Sequence, residues 1–144
     1  MRPTAILAGL VMGGLLAGTA GATPDDTLWE ATAEVESGGN PRAYRSGERA
    51  AGIVQIRPIC VADVNRILRL WGDDRRFALA DRYSLEKSRE MWEVYLEYYG
   101  DRYAQRTGRA PTDEVYARIW NGGPEGWCKR RTLLYWRRIR EAIP

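Results

Sequence analysis

The amino-acid sequence predicts a mainly α-helical single domain of five or six short helices. Apolar side chains recur at helical spacing in five segments, and each segment is bounded by residues that commonly start or end helices. No comparably long segment alternates polar and apolar residues, so we expect at most a short extended segment near residues 52–56 (GIVQI). The length of 144 residues suits one domain, and no Pro/Gly/Ser-rich linker divides the chain after residue 25.

Residues 1–22 have the pattern of a secretory signal peptide. Arg2 supplies a positive charge, residues 5–18 form an apolar run with four glycines, and residues 20–22 (AGA) form a cleavage site of the A-x-A type. The run is shorter than the ~20 apolar residues that a membrane-spanning helix needs. We therefore expect cleavage after residue 22, a domain formed by residues 23–144, no stable membrane span after cleavage, and a periplasmic or secreted protein.

The first two helices are predicted from their starts and from their apolar stripes. The first covers about residues 28–37, because residues 27–30 (TLWE) form a capping box and two glycines follow the helix. The second begins at Pro58, which suits a first helical turn, and its apolar stripe continues to Trp71.

Three further helices are predicted in the second half of the chain. The third runs from Ser84 to a C-cap at Gly100. The fourth begins at Thr112, which caps two acidic residues, and residues 121–124 (NGGP) end it. The fifth spans about residues 132–142, with an amphipathic but very basic surface to which Leu133, Trp136, Ile139 and Arg140 contribute.

The composition excludes several classes of function. The chain contains no His, so relays that use imidazole as their base are excluded. A zinc site without His would need about four thiolates, whereas the chain has only Cys60 and Cys128, so we expect no metal and no cofactor. The formal net charge is only +3, and the basic residues are spread along the chain apart from a cluster at residues 129–140. We therefore predict no binding of nucleic acid.

The two cysteines form the only intramolecular pair available for a disulfide. In an exported protein such a bridge persists, and closing a loop of this length would stabilise the fold by about 4 kcal/mol. We expect a bridge between Cys60 and Cys128, with two unpaired thiols as the alternative.

Glu36 is the candidate catalytic residue. Most other acidic side chains lie on helix faces beside arginines and suit exposed ion pairs. Glu36 instead lies in the last turn of the first helix, where the negative end of the helix dipole should raise its pKa. A carboxyl that keeps its proton can protonate the leaving oxygen of a glycosidic bond.

Three segments carry a resemblance to a known family. Residues 36–41 (ESGGNP), 51–56 (AGIVQI) and 119–124 (IWNGGP) resemble, in this order, the motifs E-S-x-x-N-P, G-x-M-Q-I and A-Y-N-x-G of soluble lytic transglycosylases and goose-type lysozymes, within the lysozyme-like superfamily. The resemblance extends over about residues 28–127 and implies a lysozyme-like domain whose helices surround a substrate cleft. The same segments would also serve as helix stops in a protein without such a cleft.

The resemblance implies a role for each motif residue. Glu36 matches the catalytic acid, Ser37 the hydroxyl that holds the sugar or the acid, and Gln55 the amide that contacts the substrate. Asn121 matches the amide of the third motif, and Trp120 beside it lines the substrate site. The proposed bridge between Cys60 and Cys128 would steady this cleft by tying the second helix to the loop after Asn121.

The sequence departs from the family pattern at two positions. Trp120 replaces the tyrosine before the asparagine, and Val54 replaces the methionine before the glutamine. An indole only donates a hydrogen bond, so an indole aimed at Glu36 would favour the ionised carboxylate and lower its pKa.

The resemblance implies a monomeric enzyme that acts on the glycan strands of peptidoglycan. The preferred interpretation is a lytic transglycosylase, in which Glu36 acts as acid and then as base, and the product is a 1,6-anhydro sugar. A lysozyme-type hydrolase of the same bond is the alternative, for which Glu48 and Asp63 are the candidates for a second carboxylate. A peptidoglycan-binding protein without catalysis is also compatible with the sequence, as is a helical module that binds an anionic partner through residues 129–140.

Overall fold

The computed structural model describes residues 23–144, and the predicted signal peptide at residues 1–22 lies outside them. The described residues form one mainly α-helical domain with a single two-stranded hairpin, which confirms the predicted fold class. The α-helices are α1 (Asp26–Ser37), α2 (Pro58–Trp71), α3 (Leu85–Thr107), α4 (Asp113–Gly122) and α5 (Leu133–Ala142). The strands are β1 (Tyr44–Arg45) and β2 (Ala50–Ala51), and short 3₁₀ helices cover Leu79–Tyr83, Gly126–Cys128 and Arg130–Thr132.

The ends of the first two helices follow from their capping residues. α1 begins two residues earlier than predicted, because the Asp25 carboxylate accepts a hydrogen bond from the amide of Leu28 at 2.9 Å. It ends at Gly38, whose φ of 63° is left-handed. α2 begins at Pro58 and ends at Trp71, as the sequence predicts.

The third helix is longer than predicted, because Gly100 does not end it. α3 continues to Thr107, and Gly108 is its left-handed C-cap. Gly100 is buried, and a Cβ atom there would lie 2.7 Å from the ring of Tyr116 on α4 and 3.3 Å from Pro111. The glycine therefore permits α4 to approach α3 closely.

The core lies between two sets of packed helices. α3 packs against α2 and α4, while α5 packs against α1 and α4. The largest fully buried side chains come from all five helices and from the turn after β2, and they include Leu28, Ile56, Ile67, Trp92, Leu96, Ile119 and Ile139. Among residues 23–144, no helix combines the length and apolarity needed to span a membrane.

Residues 52–56 form a tight turn rather than the extended segment that we predict. β1 and β2 pair antiparallel just before the turn, with Tyr44 opposite Ala51. Residues 52–55 then loop back, so that Ala51 and Ile56 exchange backbone hydrogen bonds of 3.0 and 2.9 Å. The reason is the backbone conformation, because φ is 83° at Gly52 and 54° at Gln55, which a strand does not contain.

The side chain of Arg82 fixes this turn from beneath. Arg82 is only 7% exposed, and its guanidinium donates to the carbonyl oxygens of Arg49 at 2.7 Å and Ile56 at 3.0 Å. A Cβ atom on Gly52 would lie only 1.8 Å from the backbone carbonyl oxygen of Arg82. The turn thus requires glycine for two independent reasons, a left-handed φ and a close backbone approach.

We expect Gly52→Ala to destabilise the fold by roughly 3 kcal/mol or more, because the strained φ adds to a backbone clash. Gly39→Ala is the matched control, since Gly39 has a φ of 75° but nothing within 4 Å of its Cβ position. The control should cost only about 1–2 kcal/mol. Urea denaturation of both variants measures the difference, and equal losses would contradict the role of the close approach.

Candidate active site

One groove, with a volume of about 730 Å³, brings together four of the residues that the sequence predicts for the site. Glu36, Gln55, Trp120 and Asn121 all line it. Ser37 does not line it, although it is the neighbour of Glu36. The groove also contains side chains from α2, which supplies most of one wall.

The carboxyl group of Glu36 is partly buried between α1 and α5. The hydroxyl of Tyr135, on α5, donates a hydrogen bond of 2.9 Å to its Oε1 atom. Burial raises the pKa of Glu36. The hydrogen bond from Tyr135 and the positive charges of Arg45 and Arg138 oppose this rise, whereas the negative charge of Glu48 adds to it.

The pKa of Glu36 is raised, as the sequence predicts, but the main cause is burial and not the end of the helix. The Arg45 guanidinium donates to the carbonyl oxygen of Glu36 at 3.3 Å, and that of Arg138 donates to the carbonyl oxygen of Val35 at 3.3 Å. These two positive groups offset the negative end of the α1 dipole. Desolvation outweighs both of them.

Trp120 does not donate to Glu36, which corrects the prediction that its indole would lower the pKa of the acid. Its Nε1 atom donates to the carbonyl oxygen of Val54 at 3.2 Å, and its ring packs edge-on against Tyr95 with centroids 5.6 Å apart. The phenol hydroxyl that contacts the acid comes from Tyr135 instead. The site therefore keeps a tyrosine on its acid despite the tryptophan in the third motif.

The three motif segments meet at the turn after β2. Ser37 Oγ donates to the carbonyl oxygen of Ile53 at 2.7 Å, and Gln55 Nε2 donates to that of Gly52 at 2.9 Å. Together with the bond from Trp120 to Val54, three successive carbonyl groups of the turn each accept a side-chain hydrogen bond. Ser37 and the Gln55 amide nitrogen therefore position the groove wall, while Asn121 is exposed at the end of α4.

Two further carboxylates, Glu48 and Asp63, line the groove. Asp63 accepts hydrogen bonds from Arg66 at 2.7 Å and from the Tyr99 hydroxyl at 2.5 Å, so both of its oxygens have partners. Glu48 forms an ion pair with Arg57 at 2.9 Å, and its side chain is more exposed than that of Asp63, at 43% against 22%. Since Glu48 is also the carboxylate that raises the pKa of Glu36, it is the better candidate for a second catalytic group.

Cys60 and Cys128 are both free thiols, which corrects the predicted bridge. Cys60 lines the groove from α2, and burial raises the pKa of its thiol to about 12, with a contribution from the charge of Asp63. Cys128 is exposed in a 3₁₀ helix, and its Sγ atom donates to the carbonyl oxygen of Glu125 at 3.1 Å. The two side chains thus lie in separate environments. In the part of the chain that the structure describes, no group of three or more Cys, Asp and Glu side chains is placed to hold a metal ion.

Tyr135 and Arg138 belong to the site, but the sequence pattern does not reveal them. The stripe predicted for α5 contains Leu133, which is 44% exposed, whereas Tyr135 is 7% exposed. No motif includes α5, and a tyrosine 99 residues from its acid leaves no local signal. Only the packing of α5 against α1 shows the contact.

Comparison with known proteins shows a lysozyme-like fold. No protein-family model matches the chain. Over 45 residues, which are 31% of this chain and 24% of the relative, the chain is 42% identical to Lysozyme 1 from Crassostrea virginica. The aligned part is therefore about a quarter of that protein's length.

Two solved structures are similar over most of the domain. The crystal structure of Tapes japonica lysozyme superposes with a TM-score of 0.63 and 22% identity, over 81% of this chain and 89% of that one. A chain in the crystal structure of Aeromonas hydrophila PliI in complex with Meretrix lusoria lysozyme superposes with a TM-score of 0.64 and 24% identity, over 81% and 88%. They confirm the lysozyme-like fold that the motifs predict, but they do not support the goose-type or soluble lytic transglycosylase branch specifically.

We expect Tyr135→Phe to shift the titration of Glu36 toward higher pH. In the wild-type protein the Tyr135 hydroxyl lowers the pKa of Glu36, so removal of this hydroxyl leaves the acid protonated at higher pH. Leaving Oε1 without its donor should also destabilise the fold by about 1 kcal/mol. The pH dependence of the Glu36 carboxyl signal, followed by NMR in the wild-type protein and in the variant, measures the shift. Tyr83→Phe, at an exposed tyrosine, is the control, and a shift toward lower pH would contradict the assignment.

Proposed function

We propose that the protein hydrolyses the β-1,4 bond between N-acetylmuramic acid and N-acetylglucosamine in peptidoglycan, in the manner of a lysozyme. The observation that carries this proposal is a desolvated Glu36 carboxyl with a raised pKa, in a groove that also contains the ion-paired carboxylate of Glu48. Two carboxylates in unlike environments suit an acid and a charged partner.

Glu36 acts as the general acid. Burial favours its neutral form, so it holds a proton that can pass to the glycosidic oxygen as the bond breaks. Because Tyr135 donates to Oε1, the proton resides on Oε2. The hydroxyl then stabilises the carboxylate that forms after proton transfer, since hydrogen bonds to charged groups are the stronger ones.

Glu48 acts as the ionised partner. Arg57 at 2.9 Å and Arg45 at 3.7 Å pair with its carboxylate and hold it at the groove. From there its negative charge stabilises the positive charge that develops on the sugar ring in the transition state. Water then attacks the ring carbon, and the product has a reducing end.

Lytic transglycosylation, which the motif resemblance favours, is the second candidate. It needs only Glu36, first as acid and then as the base that deprotonates the 6-hydroxyl of the sugar. Hydrolysis is preferred because the aligned relatives are named lysozymes and because Glu48 supplies a second carboxylate. Cleavage of either kind is consistent with export by the predicted signal peptide, since peptidoglycan lies outside the cell membrane.

Binding of peptidoglycan without catalysis is the less favoured function. It would follow if the indole of Trp120 kept Glu36 ionised, but that indole donates to the Val54 carbonyl oxygen instead. The acid therefore keeps the raised pKa that burial gives it.

We expect Glu36→Gln to reduce the release of soluble fragments from insoluble peptidoglycan by at least about 10²-fold, because the general acid is lost. The fold should keep or gain stability. Because the folded-state pKa of Glu36 is raised, ionisation of this carboxyl removes stability as the pH rises above its ordinary pKa, and Gln cannot ionise. Glu34→Gln, at an exposed position on α1, is the matched control. Activity of Glu36→Gln close to that of the wild type would refute the assignment.

We expect mass spectrometry of the released muropeptides to find reducing ends, because water is the proposed acceptor. A product that consists of 1,6-anhydro sugars would instead assign the protein as a lytic transglycosylase. Absence of soluble fragments, with protein retained on the insoluble wall, would favour binding without catalysis.

A further inference from the structure

The groove has an excess of positive charge. Among the described residues, five arginines and three carboxylates line it, and the carboxyl of Glu36 favours its neutral form. This excess suits an anionic substrate better than a neutral sugar polymer. The arginines without a partner inside the protein are therefore the ones available to a charged substrate.

Three of the five arginines are paired within the protein. Arg45 and Arg57 both form ion pairs with Glu48, at 3.7 and 2.9 Å. Arg66 donates to Asp63 at 2.7 Å. These three guanidiniums hold the two carboxylates in place, and each already has an anionic partner within the protein.

The other two arginines lack an anionic partner. Within residues 23–144, neither Arg69 nor Arg131 forms an ion pair or a side-chain hydrogen bond, and both are exposed. They come from separate elements, since Arg69 lies in the last turn of α2 and Arg131 lies in the 3₁₀ helix before α5. Both nevertheless line the groove that contains Glu36.

We propose that Arg69 and Arg131 bind carboxylates of the stem peptides, so that the substrate is a glycan strand that carries its peptides and not a bare one. The inference rests on the proposed function, and it adds the chemical class of the preferred strand. A guanidinium presents a planar pair of N–H groups that matches a carboxylate in geometry and charge. Stem peptides are attached to the muramic acid residues and end in free carboxylates, so their charge accompanies every strand in the groove.

The test compares two substrates that differ only in their peptides. Soluble peptidoglycan strands with intact stems are one probe. The other is the same strands after an amidase has removed the stems and the lactyl carboxylate that it frees on each muramic acid residue has been converted to a neutral amide. Dissociation constants for both are measured with the Glu36→Gln protein, in which cleavage cannot consume the probe. The cleavage rates of both strands by the wild-type protein are measured in parallel.

The groove double variant combines Arg69→Gln with Arg131→Gln. The control double variant combines Arg109→Gln with Arg137→Gln. The control removes the same charge at exposed arginines outside the groove. We expect the Glu36→Gln protein to bind intact strands about tenfold more tightly than stripped ones, from two ion pairs at a groove rim. The groove double variant should abolish this preference, the control should keep it, and added salt should weaken it.

Equal affinity for intact and stripped strands would overturn the inference, as would an equal loss of preference in the control variant. The cleavage assay separates this outcome from a failure of the proposed function. If the wild-type protein cleaves neither strand, the proposed catalysis is wrong, and the binding preference still decides whether the arginines recognise the stems.

Discussion

The hydrogen bond between Tyr135 and Glu36 is the contact on which the candidate site depends. It joins α1 to α5, and the packing of these helices excludes water from the carboxyl group and so raises its pKa. A buried carboxyl without a donor would be costly, and the phenol hydroxyl meets that requirement without making the carboxylate the favoured form. Glu36 therefore has its raised pKa only in the folded domain, where α5 covers α1.

The turn at residues 52–55 forms a rigid wall of the groove that contains this acid. Its carbonyl groups accept hydrogen bonds from side chains on α1 and α4 and from Gln55 in the turn itself, and Arg82 holds the residues on either side of it. The three motif segments are thus one physical unit, since each contributes a donor to the same turn. Of these donors, Gln55 and Trp120 also line the groove, so the same side chains hold the turn in position and form part of the groove surface.

The helices could be predicted from sequence because their signals are local. Pro58, Thr112 and the left-handed Gly38 act within one turn of the helix end that they cap, although the N-cap of α1 is Asp25 and not the predicted Thr27. The two larger errors have causes outside such caps. Gly100 has the form of a cap but permits a close approach of α4, and residues 52–56 have the composition of a strand but follow a left-handed glycine. Glu36 could be found from its motif, whereas Tyr135 could not, because its role arises only when the two ends of the domain pack together.

The positive charges of the groove have two opposing effects. An excess of arginine attracts an anionic polymer, yet positive charge near Glu36 lowers its pKa, so that less of this carboxyl keeps its proton. The structure limits this conflict by pairing. Arg45 and Arg57 share the single negative charge of Glu48, which itself raises the pKa of Glu36, and Arg66 is paired with Asp63. The positive charges that lower the pKa of Glu36 most are those of Arg45 and Arg138, and not those of the unpaired Arg69 and Arg131. The proposed contacts of Arg69 and Arg131 with the substrate therefore need not oppose the burial by α5 that raises the pKa of Glu36.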